Sequence, residues 1–227
     1  SSKTSFVTSL PDYSEINMSV EDWKPWFIKG CELVLQLLQE GQVVIFYQTD
    51  VKVLGEEKKQ AKKNAKNEKH ENLQDEAKKK EDEKSGETCS EWIDKSFLCH
   101  QAAARQNCSL LFHKILLLND VNSVKHGRPT YSHMLCFGKA SNSSGACNYR
   151  VIKQGMPDVA HRGDMLYSKG MGLTACFMAT AFCKSIGAET IVDPFCGKGS
   201  VLCAANYVGI NAIGVDISNT RVRNANS

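Results

Sequence analysis

No apolar run in this chain approaches the length of a bilayer span, no signal peptide is visible, and acids and bases nearly cancel, with 28 Lys and Arg against 25 Asp and Glu. The first absence excludes a membrane-spanning helix. The near-cancellation leaves a net charge of +3, too small to argue by itself for a polyanionic partner. Cysteine is plentiful, ten in 227 residues, yet it never occurs as Cys-x-x-Cys and never takes a zinc-like spacing with histidine, so no metal ligands are assigned. Cys31, Cys136, Cys176 and Cys183 fall within apolar runs and read as reduced core residues of an intracellular protein, cytoplasmic or nuclear. At 42% hydrophobic residues there is ample core for a single α/β domain over 1–227.

One stretch has almost no apolar residues. Glu56 to Glu87 holds ten lysines and ten acids and carries no net charge apart from His70. Mixed charge without apolar residues reads as a solvated insertion, helical or irregular, rather than a basic arm for nucleic acid. Deleting it should leave a cooperatively melting core; loss of cooperative melting would contradict this reading.

What is present is concentrated in the last quarter. Thr190-Ile191-Val192-Asp193 predicts a buried strand, Gly197 and Gly199 a loop in which backbone closely approaches a ligand, Ser200 onward a helix, and Ala212 to Ile217 a second strand tipped by Asp216. An acid at that point accepts the two hydroxyls of a ribose. The dinucleotide pattern needs a small residue where Leu202 stands, and the phosphate-loop pattern Gly-x-x-x-x-Gly-Lys-Ser/Thr is not supplied by Gly197-Lys198-Gly199-Ser200. Asp193 beside the loop repels a pyrophosphate and suits an ammonium group. An adenosine joined to a cationic amino acid is S-adenosylmethionine.

The block Asp193-Pro194-Phe195-Cys196-Gly197-Lys198-Gly199-Ser200 closely resembles the cofactor loop of S-adenosylmethionine-dependent methyltransferases that methylate amino groups in DNA and RNA bases. Val121 to His133, with Arg128-Pro129-Thr130 leading into Ser132-His133, is similar to the segment before the last strand in permuted members of that family; Met134 replaces the family's acid. Ser168 to Leu173, containing Lys169, Gly170 and Met171, opens a helix to about Ile186 and is placed like the segment holding the methionine end of the cofactor. The resemblance implies a Rossmann-like α/β methyltransferase sheet with helices on both faces, a circularly permuted strand order, and a cofactor site of Lys169, Gly170, Met171, Asp193, Pro194, Phe195, Cys196, Gly197, Gly199, Ser200, Asp216 and Ile217. Six strands are legible, at 5–8, 43–47, 110–118, 132–137, 190–193 and 212–217, where the family's sheet has seven, which implies an edge strand missing, expected in an upstream segment. Helices are expected from Val20, behind a Ser19 cap and with Pro25 as a kink or a later start, and from Trp92 to Arg105.

Under the same resemblance Ser9 to Tyr13 lies at the family's catalytic tetrapeptide, an Asp, Asn or Ser followed by two prolines and an aromatic. Ser9 and Pro11 match; Leu10 stands for a proline, and Asp12 precedes Tyr13. An exocyclic amine is a poor nucleophile because its lone pair is delocalised, so carbonyls and the first side chain accept its hydrogens while an aromatic stacks on the ring. As a turn alone, Asp12 is an ordinary turn residue. Carbon-5 methylation needs a cysteine nucleophile, and none flanks Pro11. His113, His126 and His133 read as structural or solvated, with one able to touch substrate. Three activities remain open: methylation of a nucleic-acid base, with RNA ahead of DNA because 139–167 is too short for a sequence-reading domain; a catalytically silent subunit; and an N-methyltransferase for protein or small molecules. A protein partner or upstream domain supplying substrate recognition is expected alongside.

Overall fold

The computed structural model describes residues 3–53, 91–125, 128–139 and 156–225. They fall into two compact units, Ser1–Asp50 with Asp94–Ser227, and Val51–Ile93.

The larger unit is built on a seven-stranded sheet. Its strands are β1 (Thr4–Thr8), β2 (Val43–Gln48), β5 (Cys108–Leu117), β6 (Tyr131–Lys139), β7 (Val159–His161), β8 (Thr190–Asp193) and β9 (Asn211–Gly214), in the order β7-β5-β6-β2-β1-β8-β9. Its helices are α1 (Val20–Gln36), α2 (Lys95–Arg105), α3 (Leu173–Ser185), α4 (Ser200–Tyr207) and α5 (Asn219–Ala225). β1 lies parallel between β2 and β8, with Phe6 opposite Val44 on one side and Val192 on the other. β6 is antiparallel to both β2 and β5. The chain moves outward in one direction from β1 to β2 and in the other from β8 to β9. The sheet therefore reverses order between β1 and β8, and in open α/β sheets ligands bind beyond the C-terminal ends of the strands at such a point.

Six of these seven strands are the ones legible in the sequence. The expectation of six strands with an edge strand missing needs correction: the sheet has seven, and the seventh, β7, pairs with β5 through Ile115, Leu116 and Leu117, an edge too short for any sequence pattern to announce. The opposite edge is β9, with no further strand beside it among the described residues.

Side chains alternate across a strand, so β2 contributes to both faces. Val7, Val43, Ile45, Cys136 and Ile191 pack with Ala175, Ala179 and Phe182 of α3 and Val201 and Ala204 of α4. The alanines let both helices settle close to the sheet. On the other face Trp23, Phe27, Cys31 and Leu35 of α1 and Cys99 and Ala102 of α2 are fully buried, with Phe46 and Phe137 beneath them. The Cys31 and Cys99 sulfurs lie 4.0 Å apart between the two helices. Burial pushes the Cys176 and Cys183 thiols up to about 12, so they are inert packing groups, as the sequence implied.

Helix α1 starts at Val20 despite Pro25. The Ser19 side chain accepts a hydrogen bond from the Asp22 N–H at 3.1 Å, and Pro25 is simply accommodated inside the helix. The expected helix from Trp92 needs correction. Glu91–Ile93 is a strand, β4, and α2 begins at Lys95 behind an Asp94 cap that accepts from the Phe97 N–H at 3.0 Å.

In the smaller unit β3 (Val51–Val53) pairs antiparallel with β4, placing Val53 opposite Glu91. Lys52 Nζ sits 5.7 Å from the Trp92 ring centroid. The charged insertion of 56–87 falls outside the described residues. Its flanks are neighbours across a ladder, so a short turn can replace it without moving either strand.

Candidate functional site

Three loops meet at the C-terminal ends of β1 and β8. The first is the glycine loop after β8. Asp193, 3% exposed, accepts from Thr8 Oγ1 at 2.7 Å and from the Phe195 N–H at 3.1 Å, both at Oδ1. Its Oδ2 has no hydrogen-bond partner among the described residues. Burial pushes this carboxyl up to about 7, the Thr8 and Phe195 hydrogen bonds pull it down, and the charge of Asp216 raises it further.

The backbone of the loop is occupied from within. The Phe195 N–H goes to Asp193, the Cys196 N–H to the Val215 carbonyl at 2.9 Å, the Gly197 N–H to Asp216 Oδ2 at 3.1 Å, the Lys198 N–H to the Tyr167 hydroxyl at 3.2 Å, and the Gly199 N–H to the Cys196 carbonyl at 2.8 Å. Five consecutive donors are thereby taken, and no nest of free N–H groups is left to cradle a phosphate. Free donors begin only at the first turn of α4, where Ser200, Val201 and Leu202 precede the first intrahelical bond. The Ser200 hydroxyl there, close to the Tyr167 phenol, is buried and has no hydrogen-bond partner among the described residues.

The two glycines carry a different burden from the one the sequence suggested. Gly197 and Gly199 have φ of 56° and 85°, which disfavours side chains at both. At Gly197 a Cβ would lie 2.6 Å from the Tyr167 hydroxyl, and at Gly199 3.0 Å from Ala225 Cβ. The close approach is to the protein itself. Cys196 is buried, and burial with the charges of Asp193 and Asp216 pushes its thiol up to about 11, consistent with packing rather than chemistry.

Asp216 follows β9. Its side chain is 7% exposed, Oδ1 accepts the Ser218 N–H at 2.8 Å, and Arg221 stands 3.7 Å from Oδ2. Each oxygen keeps acceptor capacity for a hydroxyl group. Ile217, the next residue, is 98% exposed, a large apolar surface beside the acid.

The second loop is the segment before α3. Tyr167 binds it to the glycine loop through the Lys198 contact, and Lys198 Nζ lies 5.5 Å from the Tyr167 ring centroid. Lys169 has φ of 69°, Gly170 and Met171 are buried, and the Lys169 ammonium meets Glu15 Oε1 at 3.2 Å. A Cβ at Gly172 would collide with the Arg162 carbonyl oxygen. Gly172→Ala should therefore cost roughly 1–3 kcal/mol by overpacking, seen as a lower urea midpoint at unchanged slope.

The third loop is Ser9 to Tyr13. Leu10 is 2% exposed and packs on α1, where a Cβ at Gly30 would come within 2.9 Å of its Cδ2. The position of Leu10 thus serves the core. The Pro11 carbonyl accepts from Trp23 Nε1 at 3.1 Å, Asp12 pairs with Lys95, and Tyr13 meets Trp23 edge-on with ring centroids 6.3 Å apart. Ser9 Oγ is part-exposed and has no hydrogen-bond partner among the described residues.

The structure thus brings together Ser9, Pro11, Asp12 and Tyr13 with Lys169, Gly170, Met171, Asp193, Pro194, Phe195 and the glycine loop. Thr8, Trp23, Lys95 and Tyr167 complete the arrangement and were not singled out from the sequence. Nearby, His133 shares a hydrogen bond with His113 at 2.9 Å and meets Asp50 at 3.1 Å. His126 lies outside the described residues. Gln48, opposite His133 on the adjacent strand, is fully buried, and neither its carboxamide oxygen nor its nitrogen has a hydrogen-bond partner among the described residues.

An α/β sheet with its order reversing beside two acids defines the class of the fold. Neither a protein-family model nor a curated protein matches the chain significantly. Solved structures do. A candidate DNA modification methylase of Thermus thermophilus superimposes with a TM-score of 0.62 at 14% identity, covering 98% of this chain and 84% of its own. The same protein complexed with S-adenosyl-L-methionine gives 0.60 at 14% identity, covering 98% and 83%. The cytosine-N4-specific PvuII DNA methyltransferase gives 0.54 at 10% identity, covering 99% and 78%. The chain has the fold of these proteins.

Proposed function

We propose that the chain is an enzyme that transfers a methyl group from S-adenosylmethionine to an exocyclic amino group of a nucleic-acid base. The observation that carries this is the loop after β8. Its five occupied N–H donors disfavour a phosphate, while Asp193 Oδ2 and the two oxygens of Asp216 favour an ammonium and a pair of hydroxyls. That donor and acceptor set fits S-adenosylmethionine.

In this reading Asp216 takes the ribose hydroxyls, Ile217 covers one face of the adenine, and Asp193 takes the ammonium. Ser200 and the first turn of α4 take the carboxylate, with Lys169, Gly170 and Met171 closing that end and Pro194 and Phe195 lining the wall. The cofactor supplies an electrophilic methyl group on a sulfonium. The chain supplies position: Ser9 Oγ accepts a hydrogen of the substrate amine, and Tyr13 offers a ring for the base to stack on. The chain order, substrate turn after the first strand and cofactor loop after the eighth, supports a permuted arrangement.

RNA stood ahead of DNA in the sequence because residues 139–167 leave no room for a reading domain. The structural neighbours are named for DNA, and DNA is placed first here. Incubation with methyl-labelled S-adenosylmethionine and separate DNA, RNA and protein pools, followed by nucleoside digestion, decides the substrate. Label in an N-methylated deoxynucleoside supports the proposal, and label in RNA or protein alone redirects it. Cofactor binding with no label in any pool favours the silent-subunit alternative.

A further inference from the structure

Lys95 breaks two local rules. It is the first residue of α2, where a cation opposes the helix dipole, and its side chain is only 3% exposed, where a charge is costly to bury. Residues that break such rules are retained when something else depends on them. Here the dependence is visible: Lys95 Nζ pairs with Asp12 Oδ1 and sits 5.7 Å from the ring centroids of both Trp23 and Phe27. Trp23, fully buried, donates its indole N–H to the Pro11 carbonyl. The turn after β1 is thus gripped twice from behind, by its Asp12 side chain and by its Pro11 backbone.

The grip extends into the sheet. The Lys95 N–H donates to Asp50 Oδ1 at 3.0 Å, Asp50 Oδ2 meets His133 Nε2 at 3.1 Å, and His133 Nδ1 meets His113 Nε2 at 2.9 Å. One connected set of polar groups ties the turn after β1 to the ends of β2 and β6 and to β5. On the other side of the same turn, Thr8 Oγ1 is bonded to Asp193 beside the glycine loop. The turn is fixed relative to both.

We propose that Lys95 is a positioning residue for methyl transfer: its ammonium, through Asp12, sets the placement of Ser9 to Tyr13 against the cofactor loop. Asp12 then serves as the handle by which the turn is held, and its charge is cancelled before a polyanionic substrate arrives. This rests on the reading of Ser9 to Tyr13 as the substrate turn. Lys95 itself touches neither substrate nor cofactor.

The test uses the full chain and the variants Lys95→Met, Asp12→Asn, their double, and Lys95→Arg. Methyl transfer is measured at saturating S-adenosylmethionine alongside cofactor Kd and the indole N–H resonance of Trp23. Each of the first two variants is expected to lower kcat by about tenfold or more, with cofactor Kd unchanged within about twofold. The double should be no worse than the poorer single, because both remove one interaction. Lys95→Arg should recover part of kcat, and the Trp23 indole resonance should shift in Lys95→Met. Full activity in Lys95→Met, single losses that multiply in the double, or a fall in cofactor affinity that parallels the fall in kcat would each overturn the assignment. A wild-type chain that binds cofactor but methylates nothing removes the reading beneath it, and that blank is distinct from an active Lys95→Met.

Discussion

Asp216→Ala should weaken S-adenosylmethionine binding by roughly 5- to 150-fold, which corresponds to about 1–3 kcal/mol for a charged acceptor lost from a buried site. The side chain does two things at once. Its oxygens hold the Gly197 and Ser218 N–H groups, and they retain the capacity to accept ribose hydroxyls. Alanine removes the ribose acceptor and leaves the Gly197 N–H without its partner, so the loop itself loosens. Asp216→Asn separates the contributions, since one amide oxygen can still accept while its NH2 group faces a backbone donor. Calorimetric titration measures both variants. Wild-type affinity in Asp216→Ala would place the cofactor elsewhere.

The second large effect is a pH dependence centred on Asp193. Burial raises this carboxyl to about 7, so near neutrality both its protonated and its ionised forms are populated. An ammonium group arriving at Oδ2 requires the ionised form. Binding must then release a proton wherever the carboxyl is protonated beforehand, and affinity should rise as pH rises towards about 7, before the ligand's own α-ammonium begins to deprotonate. Well below 7 each unit of pH should cost about tenfold. Titrations in two buffers of different ionisation enthalpy read the proton directly, and Asp193→Asn should abolish the dependence while binding weakly throughout. A pH-independent wild type would show that no cation pairs with Asp193.

The same shift has an opposite consequence for the chain without cofactor. A carboxyl whose folded value lies above its unfolded one stabilises the fold at low pH, and that contribution is lost as pH rises through about 7. His113 pulls the other way. Burial, with the neighbouring His133 and His100, lowers its value, so the folded state resists protonation and loses stability as pH falls through the ordinary histidine range. Comparing melting curves of wild type and Asp193→Asn isolates the carboxyl.

Much of this arrangement was legible in the sequence. β1, β2, β8 and β9 are short apolar runs with turn residues at their ends, and β1 and β2 are buried along nearly their whole length, so burial and β-branching mark those two together. Asp193 and Asp216 are adjacent to glycines or strand ends, where local pattern carries the signal. β7 gave no signal because three residues held by one edge of β5 need no pattern of their own. β4 was read as helix because Trp92 and Ile93 run directly into the α2 sequence, and only pairing with β3 distinguishes them.

The parts of the site that stayed hidden are those made by distant partners. Thr8 and Asp193 are 185 residues apart in the chain, and Asp12 and Lys95 are 83 apart. No local spacing reports such contacts. The sequence likewise assigned the freedom at Gly197 to a ligand, whereas the Tyr167 hydroxyl takes that space. Leu10 illustrates the converse: it looked like a defect in a catalytic motif, and the structure shows a core residue packed on Gly30.

Above all, the loops at the C-terminal ends of β1 and β8 should take S-adenosylmethionine rather than a phosphate-bearing nucleotide. The most direct test is titration of the full chain, side by side, with S-adenosylmethionine, S-adenosylhomocysteine, ATP and NAD. One-to-one binding of the first two, with neither ATP nor NAD bound, is the expected result. Binding of ATP or NAD in place of S-adenosylmethionine would contradict the assignment of the loop and everything built on it.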